Sequence, residues 1–97
     1  MPQVAEPKTK RRTKLAPQHK VLIHDDDDTP MDFVVQVLER FFQLSLSEAM
    51  RVMVEAHNSG VALVAVLPLE VAELRVDQAH SHARARKYPL TFSIEAS

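Results

Sequence analysis

Lys20-Val-Leu-Ile-His-Asp-Asp-Asp-Asp-Thr-Pro-Met-Asp-Phe-Val34 passes from a strand through an acidic turn into a helix. Val21, Leu22 and Ile23 follow one another, which predicts a short strand over Lys20–His24. Asp25 to Asp28 place four carboxylates in sequence. Such a run repels itself inside a strand or helix but is tolerated ahead of a helix N-terminus, where free N–H groups favour negative charge. Thr29 has the chemistry of an N-cap, Pro30 suits a first helical position, and Asp32 completes a spacing like that of a capping box. The helix predicted from there reaches about Gln43, with Val34, Val37, Leu38, Phe41 and Phe42 on the spacing of a buried stripe.

Outward from this stretch the elements are short and well punctuated. Ser45-Leu-Ser-Glu48 is a capping box and opens a second helix. Leu46, Ala49, Met50, Met53, Ala56 and His57 share one of its faces. Gly60, the only glycine of the chain, stands just past its end, where a left-handed residue closes a helix at low cost. Val61–Leu67 is uninterrupted and apolar, and reads as a strand covered on both faces at the centre of a sheet. Pro68 opens a third helix to about Lys87, with Ala72, Val76, Ala79 and Ala83 inward and Glu73, Asp77, Arg84 and Arg86 outward. Leu90, Phe92 and Ile94 alternate with Thr91, Ser93 and Glu95 as a half-exposed last strand. The predicted fold class is α+β: a two-layer sandwich in the order β-α-α-β-α-β, with a three-stranded antiparallel sheet and three helices on one side.

Composition narrows the function. With 97 residues the chain is one domain, with room for one shallow pocket. It has no cysteine, hence no disulfide, thiol nucleophile or thiolate zinc site. No apolar run approaches the roughly 20 residues of a membrane-spanning helix. Residues 1–20 carry six basic side chains against Glu6, a net +5, while the remainder carries six basic and twelve acidic ones, a net −6. Residues 1–18, with Pro2, Pro7 and Pro17, read as a disordered basic arm, and residues 19–97 as the core domain.

The acidic turn beside an apolar helix start suits a ligand with a cation next to a greasy side chain. The first residue of a polypeptide is such a ligand, because its α-amino group, with a pKa near 8, is mostly charged at neutral pH. The same stretch closely resembles the signature of the ClpS adaptors, N-D-D-x-T-P-M-[ED]-F-V. Glu55-Ala-His57 with Gly60, Glu70-Val-Ala-Glu73 followed by Arg75, and Tyr88-Pro-Leu90 resemble three further family segments, in register over about residues 19–95 without a gap. The resemblance implies a non-enzymatic adaptor that needs no cofactor and no metal. It implies binding of N-terminal Leu, Phe, Tyr or Trp and delivery to a ClpA- or ClpC-type unfoldase for degradation by ClpP. By position, Asp25, Asp26 and His57 would hold the amino group. Thr29, Met31, Val34, Met53, Ala56 and Leu90 would line the hydrophobic pocket, and Glu70 and Arg75 would touch the unfoldase. A monomer in the cytoplasm is expected, a plastid being the exception, with no membrane and no nucleic acid as partner.

Three positions depart from the family pattern. Asp25 stands where the signature has Asn, so a group that donates and accepts is replaced by one that only accepts. Ala56 stands where Val is common, which widens one wall of the pocket, and Arg75 replaces Lys. The alternative functions are weaker. A nucleic-acid module using the basic arm lacks an aromatic and basic face on the body. An enzyme using the acidic cluster with His57 lacks a nucleophile, a phosphate loop and a metal set. The Asp run lacks the alternation and central glycine of a calcium loop, and His80 and His82, two apart on a helix, point in different directions.

Overall fold

The computed structural model describes residues 17–97. The basic arm expected over residues 1–18 lies outside them except for its last two residues, and Gln18 already opens the first strand. The order is β1 (Gln18–His24), α1 (Met31–Phe42), α2 (Leu46–Ser59), β2 (Val61–Pro68), α3 (Leu69–Ala85) and β3 (Thr91–Ala96). This is the α+β sandwich expected from the sequence, with all strand pairs antiparallel.

The sheet order is β2-β1-β3. The run Val61–Leu67 is therefore an edge strand and not the centre, which β1 occupies. An unbroken apolar run does not distinguish the two places, because only one of its faces needs to meet the core. Ala62 and Val64 are buried, while Val61, Leu63 and Val66 stand exposed on the open face of the sheet. The register of β1 on β2 shifts between Val21 and Leu22, one extra residue that a β-bulge absorbs.

On the covered face, Val21, Ile23 and Phe92 meet Val37, Leu38 and Phe42 of α1, and Ala72, Val76, Ala79 and Ala83 of α3 in one core cluster. The three alanines Ala72, Ala79 and Ala83 let α3 lie close to the sheet. The inward face of α2 is Ala49, Val52 and Ala56. Leu46 and Met50, expected on that face, are exposed. Phe33, not expected in the α1 stripe, is buried, stacked on His82 and edge-on to Tyr88.

The helix ends follow local chemistry, with one correction. Ser45 caps α2 as a full capping box with Glu48, whose carboxyl is held below its ordinary range first by the Ser45 backbone N–H. Gly60, at φ 88°, closes the same helix. At α1 the N-cap is Pro30, which has no side-chain acceptor, and Thr29 stands one residue before it with its hydroxyl donating to Asp26 Oδ2. The third helix stops at Ala85, short of Lys87, which adopts φ 62°.

Candidate functional site: an acid-rimmed apolar cavity

Three chain segments end at one place: β1 runs out at His24, α1 starts at Met31 and α2 finishes at Ser59. Between them lies a cavity of about 150 Å³. Its floor is apolar, made by the buried Ile23, Ala56 and Leu90. Met31, Val34 and Met53 form its walls. Met31 is 51% exposed, so the hollow opens to solvent and the protein's own core does not fill it.

Asp25, Asp26, Asp27, Thr29 and His57 supply the polar lining. The Asp25 N–H donates to the Gly60 carbonyl at 2.9 Å, which ties the acidic turn to the end of α2. That tie brings Asp25 Oδ1 within 3.7 Å of His57 Nδ1. Asp26 folds the turn itself. Its Oδ1 accepts from the N–H groups of Asp28 (2.9 Å) and Thr29 (2.7 Å), and its Oδ2 from the Thr29 hydroxyl (2.8 Å). A carboxylate offers about four acceptor positions, so one remains for a ligand. The result is a hollow lined by three aspartates and one imidazole, with Asp25 facing His57.

Leu90 reaches the floor because the chain after α3 is clamped. Arg84 Nη1 donates to the carbonyls of Tyr88 (2.7 Å) and Leu90 (2.8 Å). All nine residues expected at the amino group and in the pocket, Asp25, Asp26, Thr29, Met31, Val34, Met53, Ala56, His57 and Leu90, line this one cavity. Glu70 and Arg75 lie apart from it on α3. Glu70 is exposed in the first turn. Arg75 has a structural task, since its Nη1 donates to the Phe41 carbonyl (3.0 Å) and to Gln43 Oε1 (2.7 Å) and so fastens the left-handed end of α1. Sequence reasoning missed Ile23, His24 and Asp27 as lining residues. Ile23 reads as an ordinary core residue of β1. His24 pairs with Ser93 Oγ at 2.6 Å and carries no sequence signal for the cavity. Asp27 was legible only as one more member of the acidic run. Among the described residues no group of three or more His, Asp or Glu could hold a metal ion.

Fold and cavity together define a small α+β binding domain that presents a hollow with an apolar floor and an acidic lining. The family model described as ATP-dependent Clp protease adaptor protein ClpS matches residues 14–93. The chain belongs to the ClpS family. It is similar to the ATP-dependent Clp protease adapter protein ClpS of Ruegeria sp. (strain TM1040), 47% identical over 88 residues, which cover 91% of this chain and 78% of that one. It is also similar to ClpS 2 of Rhodopseudomonas palustris, 44% identical over 88 residues, covering 91% and 81%. Among solved structures, Agrobacterium tumefaciens ClpS2 bound to L-phenylalaninamide superposes with a TM-score of 0.81 at 34% identity, over 84% of this chain and 99% of that one.

Proposed function

We propose that this protein captures the first residue of other polypeptides when that residue is Leu, Phe, Tyr or Trp, and delivers the bearer to a ClpA- or ClpC-type unfoldase of the Clp protease. The observation that carries the reading is the cavity, an apolar hollow with carboxylates at its mouth. An apolar cavity of about 150 Å³ takes a benzene-sized guest. This one has that volume and opens outward. The relative from Agrobacterium tumefaciens holds an aromatic amino-acid amide, whose free amino group and ring are the two parts such a hollow selects.

The first side chain enters between Met31, Met53 and Val34 and rests on Leu90 and Ala56. The flexible thioethers let one wall serve aliphatic and aromatic guests. The α-ammonium stays at the rim, donating to Asp25 and to the free position of Asp26, with His57 beside it. Burying one Leu or Phe side chain contributes roughly 1.5–3 kcal/mol. Each hydrogen bond to the charged group adds about 1.5–3 kcal/mol. Net of association costs, the affinity falls near the micromolar range, on the order of 8 kcal/mol. Release to the unfoldase requires that it be no tighter.

Glu70 meets the unfoldase in this reading, and its exposure at the start of α3 is compatible with that contact. Arg75 has its Nη1 engaged at the end of α1, and its other N–H groups serve such a partner. The basic residues of the segment 1–18 take part in delivery. The protein acts as a monomer in the bacterial cytoplasm. Its relatives are bacterial, and no helix among the described residues is long and apolar enough to cross a membrane.

The test compares a peptide beginning with free Phe or Leu with its N-acetylated twin. Acetylation removes the charge that the rim requires and adds bulk at the mouth. The twin is expected to lose nearly all binding. Equal affinity of the pair would refute capture of a chain end.

A further inference from the structure

Alongside the cavity, α2 carries a row of exposed apolar side chains that neither the core nor the pocket uses. Leu46 (57% exposed), Met50 (48%) and Val54 (48%) lie at i, i+4 and i+8. Residues at this spacing stand one above the other on a helix. The row is about 12 Å long at 1.5 Å per residue. On one side it borders Ala49, Met53 and His57, two of which line the cavity. On the other side it borders Ser47, Arg51 and Glu55, where Arg51 and Glu55 form an ion pair at 3.6 Å. Met50 is one turn from Met53, and Val54 one turn from His57, so the row runs down α2 beside two residues that line the cavity.

We propose that this row is a rail for the residues that follow the captured one, and that the protein prefers an apolar side chain within positions two to four of its ligand. The inference rests on the proposed capture of a chain end and deepens it. Size argues for a tethered occupant. A stable protein–protein interface needs on the order of 1,000 Å² or more of buried surface, and three half-exposed side chains offer far less. Once residue one is held in the cavity, however, the next residues are already at high effective concentration beside Met50. A contact too weak to recruit a separate partner is then sufficient. Geometry agrees, since an extended chain advances about 3.3 Å per residue. Three to four residues therefore span the row. Methionine at its centre adapts to side chains of differing shape.

The experiment titrates fluorescent peptides with free N-terminal Phe, followed either by alanines alone or by one Leu at position two, three or four. At one of these positions Leu is expected to tighten binding about five- to tenfold, the equivalent of burying about half a side chain. In Met50→Gln and Val54→Gln, both on a solvent-facing surface and checked for folding by circular dichroism, the ratio of Leu to Ala peptides should fall below about twofold. Ratios near one in the unmodified protein would overturn the rail, and so would a preference that survives both variants. A dimer in sedimentation experiments that Met50→Gln dissolves would also overturn it, because the row would then be covered by a second copy. N-acetylated peptides separate the two levels. If they bind as well as free ones, chain-end capture fails and the rail with it. If only free peptides bind, and without a downstream preference, the rail alone fails.

Discussion

Replacing Asp25 by asparagine restores the amide usual at this place in the ClpS signature and exchanges two physical effects of similar size. Two unit charges about 4 Å apart attract by about 4 kcal/mol at an effective dielectric constant near 20. The Asp25 side chain is 31% exposed and already faces His57 at 3.7 Å. A bound ammonium therefore gains only about 1 kcal/mol from it, the scale of a partly exposed ion pair. Asparagine gives up that attraction and gains an N–H donor toward the ligand's carbonyl, worth about 0.5–1.5 kcal/mol. At moderate salt the two offset, and affinity should move by less than about tenfold. Salt separates them, because the screening length shrinks from about 30 Å at 0.01 M to about 3 Å at 1 M. The unmodified protein should lose more affinity than Asp25→Asn across that range, so the variant binds more weakly at low salt and equally or better at high salt. Fluorescence anisotropy with peptides beginning with Leu, Phe, Tyr and Trp reads both the slope and the ranking. Unchanged affinity, unchanged ranking and parallel salt dependence would refute the assignment of Asp25 to the ammonium.

Two further outcomes test how the cavity is held. Arg84→Ala removes two hydrogen bonds from a charged donor to the carbonyls of Tyr88 and Leu90. On an exposed side chain this should cost about 1–2 kcal/mol and lower Tm by about 5–10 °C, with a several-fold loss of peptide affinity as Leu90 loosens. Unchanged calorimetry and unchanged affinity would show that the clamp holds nothing. His80 accepts the Phe92 N–H on Nε2 at 2.9 Å, which requires the neutral ring. Its pKa is lowered, first by burial and then by Arg84, against the opposing pull of Asp77. A lowered imidazole contributes stability that is complete above its unfolded value near 6.5 and is lost as pH falls through the folded one. Chemical denaturation should show stability declining below about pH 6.5, and His80→Gln, which keeps an acceptor without the titration, should flatten the decline. His82, lowered first by burial and then by Arg86 and Arg40, leaves a residual slope of the same sign. An identical pH profile in the variant would exclude His80 as the source.

The parts of the fold that were legible are those whose signals are local. The Ser45–Glu48 box, the left-handed Gly60 and the alternating last strand each announce themselves within a few residues, and the structure has each. What failed depends on partners distant in sequence. Whether Val61–Leu67 sits at the centre or the edge is decided by which strand lies beside it, and the run itself is equally apolar in either place. Thr29 failed as a cap because the helix starts at Met31, one residue later than Thr29 could cap, with Pro30 at the N-cap and Thr29 folded into the turn of Asp26. The clasp of Arg75 was not legible either, because the acceptors that hold it, on Phe41 and Gln43, lie some thirty residues earlier in sequence.

The candidate site was more legible than the sheet order for a related reason. It is assembled almost wholly from element ends: the exit of β1, the entry of α1, the last turns of α2 and the residue before β3. Ends need particular residue types to satisfy free backbone groups, and those types are what a sequence displays most plainly. The same economy couples function to folding. Asp26 has three of its acceptor positions committed to the turn, and Leu90 is at once core and pocket floor. A loss of peptide binding in Asp26→Ala or Leu90→Ala would report on the turn or the core as much as on the ligand. Asp25, whose side chain meets only His57 among the described residues and whose structural tie runs through its backbone N–H to Gly60, is the rim position where charge can be changed with the fold left standing.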